Sequence, residues 1–303
     1  TTIEKLTSDV ATAVNLTGSA FDFENGAMTK ASTIDATALT GDGAASPLGL
    51  TIAGSIVTGS TVKGSAYIDN ATIGATGSTY NLNGGADLVT ATQAILNGST
   101  VDGGAGNDNL KLNDADATTT GTFTVTDANF SNVTNFETIT FVNAQAGDTI
   151  WALGGYANAM ATAAGGTLTA VLAGAATAVT TDIITINASS LSGTNALDLT
   201  LTNTSGTTAA NPGTDTFTGS DGNDTFTIHY DSGHSNDTSI ITITAGKGDD
   251  TITLTVDAII APGALTLTGG AGNDTITGSI HADTITGGAG IDTMTGGTGA
   301  DTF

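Results

Sequence analysis

Aspartate recurs every nine residues at the end of the chain, at Asp274, Asp283, Asp292 and Asp301. Three of these follow glycine-rich runs: Gly269-Gly-Ala-Gly-Asn-Asp274, Gly287-Gly-Ala-Gly-Ile-Asp292 and Gly296-Gly-Thr-Gly-Ala-Asp301. Earlier copies surround Asp108, Asp215, Asp224 and Asp250, with a weaker trace at Gly84-Gly-Ala-Asp87. Carboxylates at a fixed spacing are hard oxygen donors, and the chemistry open to them is the holding of a hard cation. Zinc is disfavoured, because the chain has no cysteine and only His229, His234 and His281. A single copy would say little, since glycine and aspartate are ordinary turn residues. Four copies in phase say more. Asp87 reads as a capped turn and Asp108 as a ligand, each admitting the other role.

The unit that must position these carboxylates is a nonapeptide of the pattern G-G-x-G-x-D-x-U-x, where U is a large apolar residue. It resembles the calcium-binding repeat of the RTX (repeats-in-toxin) family. The resemblance implies a parallel β-roll in which two nonapeptides make one coil, stacking Asp274 on Asp292 and Asp283 on Asp301. It also implies a ligand set: Asp274 and Asp292 with the carbonyls of Gly270, Gly272, Gly288 and Gly290 on one face, and Asp283 and Asp301 with Gly297 and Gly299 on the other. Ser279, Ile280, His281 and Ala282 depart from the pattern, so the Asp283 site is expected to be weaker or incomplete.

Elementary energetics call for a cation once the units stack as that resemblance implies. Each Thr-Ile-Thr strand turns one apolar residue inward, so Ile276, Ile285, Met294 and Phe303 are expected to line a narrow core. Burying one such side chain contributes roughly 1.5–3 kcal/mol, whereas ordering nine residues costs roughly 1–2 kcal/mol each. Stacked carboxylates one strand spacing apart, about 4.8 Å, repel by about 3 kcal/mol at an effective dielectric of 20. Several calcium ions (Ca2+) would supply the missing counter-charge.

Composition narrows the class. The 303 residues carry 5 Lys+Arg against 29 Asp+Glu, a net charge of 5 − 29 = −24. Such a chain repels phosphate backbones and anionic lipid, so neither nucleic acid nor a membrane is an expected partner. Glycine makes up 42 residues and threonine about a fifth of the chain, which favours strands and disfavours helices. There is no disulfide framework, and Thr1 opens without a basic and then apolar run, so the segment is expected to begin inside a longer polypeptide. No charged residue lies between Asp148 and Asp182, but the stretch is too weakly apolar for a spanning helix. It reads as a buried strand or a short helix over 156–164.

A longer period pairs Thr33-Ile-Asp-Ala-Thr-Ala-Leu-Thr-Gly41 with Thr185-Ile-Asn-Ala-Ser-Ser-Leu-Ser-Gly193. Each is followed by an alternating strand, Leu48–Ile52 and Leu197–Leu201. The expected fold is all-β, with stacked β-helix or sandwich-like modules at 31–182 and 183–303, the latter ending in a parallel β-roll over 210–303. Residues 1–30 read as a linker or the end of a preceding module, and Asp215 and Asp224 as ligands within the roll. Strands Ile240–Ile243 and Leu265–Leu267 must fill the longer gaps between Asp224, Asp250 and Asp274. Ending at Phe303 exposes an apolar layer, so the natural polypeptide is expected to continue.

No H-E-x-x-H, G-x-S-x-G or Walker pattern is present. Asp231, Ser232 and His234 are neighbours by number only and read as turn residues, and Lys30 and Asp35 as solvated. Asn129–Phe141 alternates like strand, and its Asn-Val-x-x-Phe-Glu-Thr-Ile run, with the Thr-Ile-Asp-Ala element, resembles RTX-type bacterial S-layer proteins. That resemblance implies a non-enzymatic structural protein, exported by type I secretion, folding in external calcium and assembling with itself on the cell surface. Cell-surface polysaccharide is a candidate further partner. The rivals are a module of a large RTX adhesin and the non-catalytic part of a secreted hydrolase.

Overall fold

The computed structural model describes residues 2–3, 13–19, 21–23, 33–41, 48–52, 56–114, 123–141, 149–174, 183–203, 213–230, 240–256 and 265–303. They fall into two compact units. One comprises Thr1–Asp114 with Ala128–Thr140, the other Ala115–Asp127 with Phe141–Phe303. These bounds differ from the 31–182 and 183–303 modules drawn from the long repeat.

Every described strand pair with a stated register is parallel. In the first unit Ala13–Gly18, Thr33–Leu39, Thr61–Lys63, Thr79–Asn81, Thr100–Asp102 and Val133–Thr134 stack in one sheet. Between them the chain visits a second sheet at Thr2–Ile3, Phe21–Phe23, Leu48–Ile52, Ile68–Thr72, Leu88–Ala91 and Asn109–Leu112. The second unit repeats the scheme. Phe123–Thr126, Thr149–Ala152, Ile184–Asn187, Thr214–Thr218, Ile240–Lys247, Leu265–Ala271 and Asp283–Ala289 alternate with Thr167–Gly174, Ala196–Asn203, Thr225–Tyr230, Thr251–Val256, Thr275–Thr277 and Thr293–Thr295. Strand and return strand make one coil, so the fold is a parallel β-helix that ends as a β-roll.

Parallel coils place like residues over like. In the first unit Ile34, Val62, Tyr80, Val101 and Val133 form one buried ladder. In the second, Trp151, Ile186, Phe217, Ile243, Leu267 and Ile285 form one. Leu199, Phe226, Ile252 and Ile276 form its counterpart in the other sheet. Threonine occupies the alternate positions, as in Thr200, Thr227, Thr253, Thr277 and Thr295. This accounts for the abundance of threonine, a β-branched residue suited to the solvent face of a strand.

Three expectations need adjustment. Ile276 and Ile285 are buried, but Met294 is 38% and Phe303 66% exposed, because Thr293–Thr295 is an edge strand that pairs only with Thr275–Thr277. The interior is also richer than one apolar residue per strand. Thr251–Val256 buries Ile252, Leu254 and Val256, and Thr225–Tyr230 buries Phe226, Ile228 and Tyr230. Only the last coils are as poor as the nonapeptide suggests. Of Asn129–Phe141, Val133–Thr134 and Thr138–Phe141 are strands as expected, but Asn129 and Phe130 belong to a 3-10 turn, Asp127–Phe130. The turn buries Phe130, and the Asp127 carboxylate accepts the N–H groups of Gly154, Tyr156 and Ala157 at 2.9–3.0 Å.

Those three amides begin the helix Gly155–Ala163, which lies within the charge-free stretch, followed by the strand Thr167–Gly174. Among the described residues no helix is long and apolar enough to cross a membrane.

Candidate metal centre

The nonapeptide aspartates form ladders running along the coils. In the second unit the N–H of Leu197 donates to Oδ1 of Asp224 (2.6 Å), Asp224 N–H to Asp250 Oδ1 (2.7 Å), Asp250 N–H to Asp274 Oδ1 (2.9 Å) and Asp274 N–H to Asp292 Oδ1 (3.0 Å). The first unit has the same ladder, from Leu50 through Asp69, Asp87 and Asp108 to Oε2 of Glu137, at 2.6–2.7 Å. On the other face of the second unit Asp283 N–H donates to Asp301 Oδ1 (3.1 Å). The stacking of Asp274 on Asp292 and of Asp283 on Asp301, 18 residues apart, matches two nonapeptides per coil.

A second ladder runs beside the first in the opposite sense. Asp249 N–H donates to Asn223 Oδ1 (2.9 Å), Asn273 N–H to Asp249 Oδ1 (2.7 Å) and Ile291 N–H to Asn273 Oδ1 (2.9 Å). Adjacent coils are therefore clipped twice, once by each residue of the Asn/Asp-Asp pair.

Glycine makes room for this arrangement. A Cβ on Gly269 would collide with Oδ2 of Asp274, and the same holds for Gly219 and Asp224, Gly278 and Asp283, Gly287 and Asp292, and Gly296 and Asp301, so in these units the carboxylate folds over the first glycine. Gly270 has φ 128°, and a Cβ there would lie 2.0 Å from the Gly246 carbonyl oxygen of the preceding coil. Substitution at that position meets both strain and backbone. By the same measure the Gly270 and Gly272 carbonyls face Gly288 and Gly290, while Gly297 and Gly299 face the carbonyls of Ser279 and His281.

Burial without counter-charge perturbs the ladder acids. Asp87 is pushed up to about 8 by burial and then by the charges of Asp69 and Asp108. Asp250 is pushed up to about 7 by burial, with Asp224, Asp274 and Asp249 adding to it. Asp108 is raised to about 6 by burial and by Glu137 and Asp102. Burial also raises Asp69, Asp224, Asp274 and Asp283. Oδ2 of Asp87, Asp108, Asp250 and Asp274 is buried with no hydrogen-bond partner. A buried, unpartnered carboxylate oxygen is costly unless something positive meets it, and a hard cation with oxygen preference fits that need. Among the described residues no three His, Asp or Glu side chains gather to hold an ion unaided, so backbone carbonyls must complete the donor set.

Asp215 stands apart from these stacks. Its Oδ1 accepts the Ile184 N–H (2.8 Å) and its Oδ2 the Tyr230 hydroxyl (2.6 Å). Ile241 and Leu265 separate it from Asp283 along the sheet. Asp35 is held below the usual carboxylate range by bonds from Thr37 and by Lys63 at 3.3 Å. Lys30, Asp231, Ser232 and His234 lie outside the described residues. The sequence reading missed Asp69, whose unit Gly64-Ser-Ala-Tyr-Ile-Asp69 keeps only the first glycine, and Glu137, which no nonapeptide surrounds.

The RTX calcium-binding nonapeptide repeat matches the chain in four copies, at residues 99–116, 210–227, 266–294 and 277–303. The chain thus carries calcium-binding repeats of the type found in secreted proteins. Asp69, Asp87, Glu137 and Asp250 continue the ladders outside the matched segments. No curated protein and no solved structure matches the chain.

Proposed function

We propose that this chain is a non-enzymatic, calcium-dependent structural protein of a bacterial surface layer, exported unfolded by type I secretion and assembling with its own copies into a lattice outside the cell. Cell-surface polysaccharide is the further partner this role calls for. The observation that supports the reading is the set of four buried carboxylate oxygens without partners, repeated coil after coil in a threonine-faced scaffold. Such a chain lacks counter-charge where calcium is scarce and gains stability as RT ln(1 + [L]/Kd) where it is plentiful. The test is calcium titration into chelator-treated protein, followed by circular dichroism and electron microscopy. Ordered sheets at millimolar calcium support the lattice. Folding to dispersed particles overturns it in favour of an adhesin module.

A further inference from the structure

The repeating units come in two loop forms, distinguished by their second residue. In Gly64-Ser65, Gly219-Ser220 and Gly278-Ser279 the serine N–H donates to Oδ2 of the aspartate four residues on: Asp69 at 2.7 Å, Asp224 at 2.6 Å and Asp283 at 2.7 Å. The same hydroxyl contacts Oδ1, at 2.8, 2.7 and 3.4 Å. It also accepts an N–H two residues ahead, from Tyr67, Gly222 and His281, at 3.0–3.1 Å. Three units of unrelated sequence between serine and aspartate thus close the same clasp.

The units with glycine in that place are built differently. Gly270 and Gly272, second and fourth in the Asp274 unit, take φ of 128° and 143°, as Gly246 and Gly248 do before Asp250. In the serine form neither Ser220 nor even Gly222 has positive φ. The outcome is read at the carboxylate. Oδ2 has no partner at Asp108, Asp250 and Asp274, where glycine stands second, nor at Asp87, where Asn83 stands second with a positive φ of 66°; it is filled at Asp69, Asp224 and Asp283, where serine stands second. Each unpartnered aspartate is at most 1% exposed, so water does not relieve it.

We propose that the second residue of each unit decides whether it takes a divalent cation: the loops at Asp87, Asp108, Asp250 and Asp274, whose second residue (Asn83, Gly104, Gly246 or Gly270) has positive φ, bind calcium, while serine stands in for the ion at Asp69, Asp224 and Asp283. This rests on the calcium reading above and refines it. The serine donates two hydrogen bonds to the carboxylate that an ion would otherwise neutralise, so neither carboxylate oxygen of Asp69, Asp224 or Asp283 lacks a partner. Asp69 and Asp224, the first aspartates of their ladders, are thereby metal-independent starting points on which the metal-bound coils stack. Two sites, at Asp87 and Asp250, fall outside the segments matched by the repeat family.

The test counts calcium bound to the full 303-residue chain by equilibrium dialysis with atomic emission, alongside melting with and without calcium. Asp250→Asn and Asp274→Asn should each lower the count by one ion and shrink the calcium-induced rise in melting temperature. Asp224→Asn should keep the count and lower melting equally in both conditions. Ser220→Gly should raise the count by one, which keeps the test open if Asp224→Asn fails to fold. Loss of an ion from Asp224→Asn, or an unchanged count in folded Ser220→Gly, overturns the proposal while leaving calcium binding intact. A wild-type chain that binds no calcium overturns the underlying reading instead.

Discussion

The N–H of Asp250 donates to Oδ1 of Asp274 at 2.9 Å, while Oδ2 of the same Asp274 is buried and unpartnered. One carboxylate therefore carries both the bond that registers adjacent coils and the charge that opposes their stacking. The ladder aligns the coils, but a cation is needed to hold them.

Dependence on calcium should be graded along the second unit. Strands Thr225–Tyr230 and Thr251–Val256 each bury three large apolar residues, whereas Thr275–Thr277 buries only Ile276. Three side chains at roughly 1.5–3 kcal/mol each outweigh one. Hydrogen exchange after chelation should lose protection first over 275–303 and last over 225–230 and 251–256; simultaneous loss contradicts the gradient.

Acidity should partly replace the metal. Asp87, Asp250 and Asp108 are raised to about 8, 7 and 6 in the folded chain, above the unfolded value of about 3.9. The metal-free fold then binds more protons than the unfolded chain between those limits, so its stability falls as pH rises. Calcium-stripped protein in metal-free buffer should melt at a higher temperature at pH 5 than at pH 8. Saturating calcium should remove or reverse the difference.

Much of this was legible in the residues. The resemblance carried by the nine-residue spacing of Asp274, Asp283, Asp292 and Asp301 implied two nonapeptides per coil with alternate units in register, and the ladder bonds have that 18-residue separation. Strands at 240–243 and 265–267 were required by the longer gaps, and strands occupy Ile240–Lys247 and Leu265–Ala271. The first ladder was harder to read because its steps are 18, 21 and 29 residues. Register there is set by stacked apolar residues such as Val62, Tyr80 and Val101, and loops of any length can join them. Glu137 ends the ladder from a segment with no glycine turn, and its Asn-Val-x-x-Phe-Glu-Thr-Ile run reads as strand rather than as a carboxylate of the ladder. The serine clasp looked like a degenerate repeat; its role emerges only where Ser220 N–H meets Asp224 Oδ2.

Asp127 should matter to stability without touching calcium. It accepts three amides at the start of the helix Gly155–Ala163, the part played by a local capping residue in other helices. Asp127→Ala should cost about 2 kcal/mol in denaturant melts, by equal amounts with and without calcium.

The Tyr80 hydroxyl is buried with no hydrogen-bond partner inside the first unit's apolar ladder. Removing an unsatisfied buried donor relieves its desolvation cost. Tyr80→Phe should stabilise the fold by about 1 kcal/mol, measured by urea denaturation, whereas a loss of that size would reveal a partner for the hydroxyl.

The most direct test is thermal melting of stripped protein by far-ultraviolet circular dichroism, before and after calcium is restored at neutral pH. The stacked-carboxylate account predicts a weakened β signal and an early melt without the ion, both recovered on its return. An unchanged spectrum and an unchanged melting temperature in chelator would contradict it.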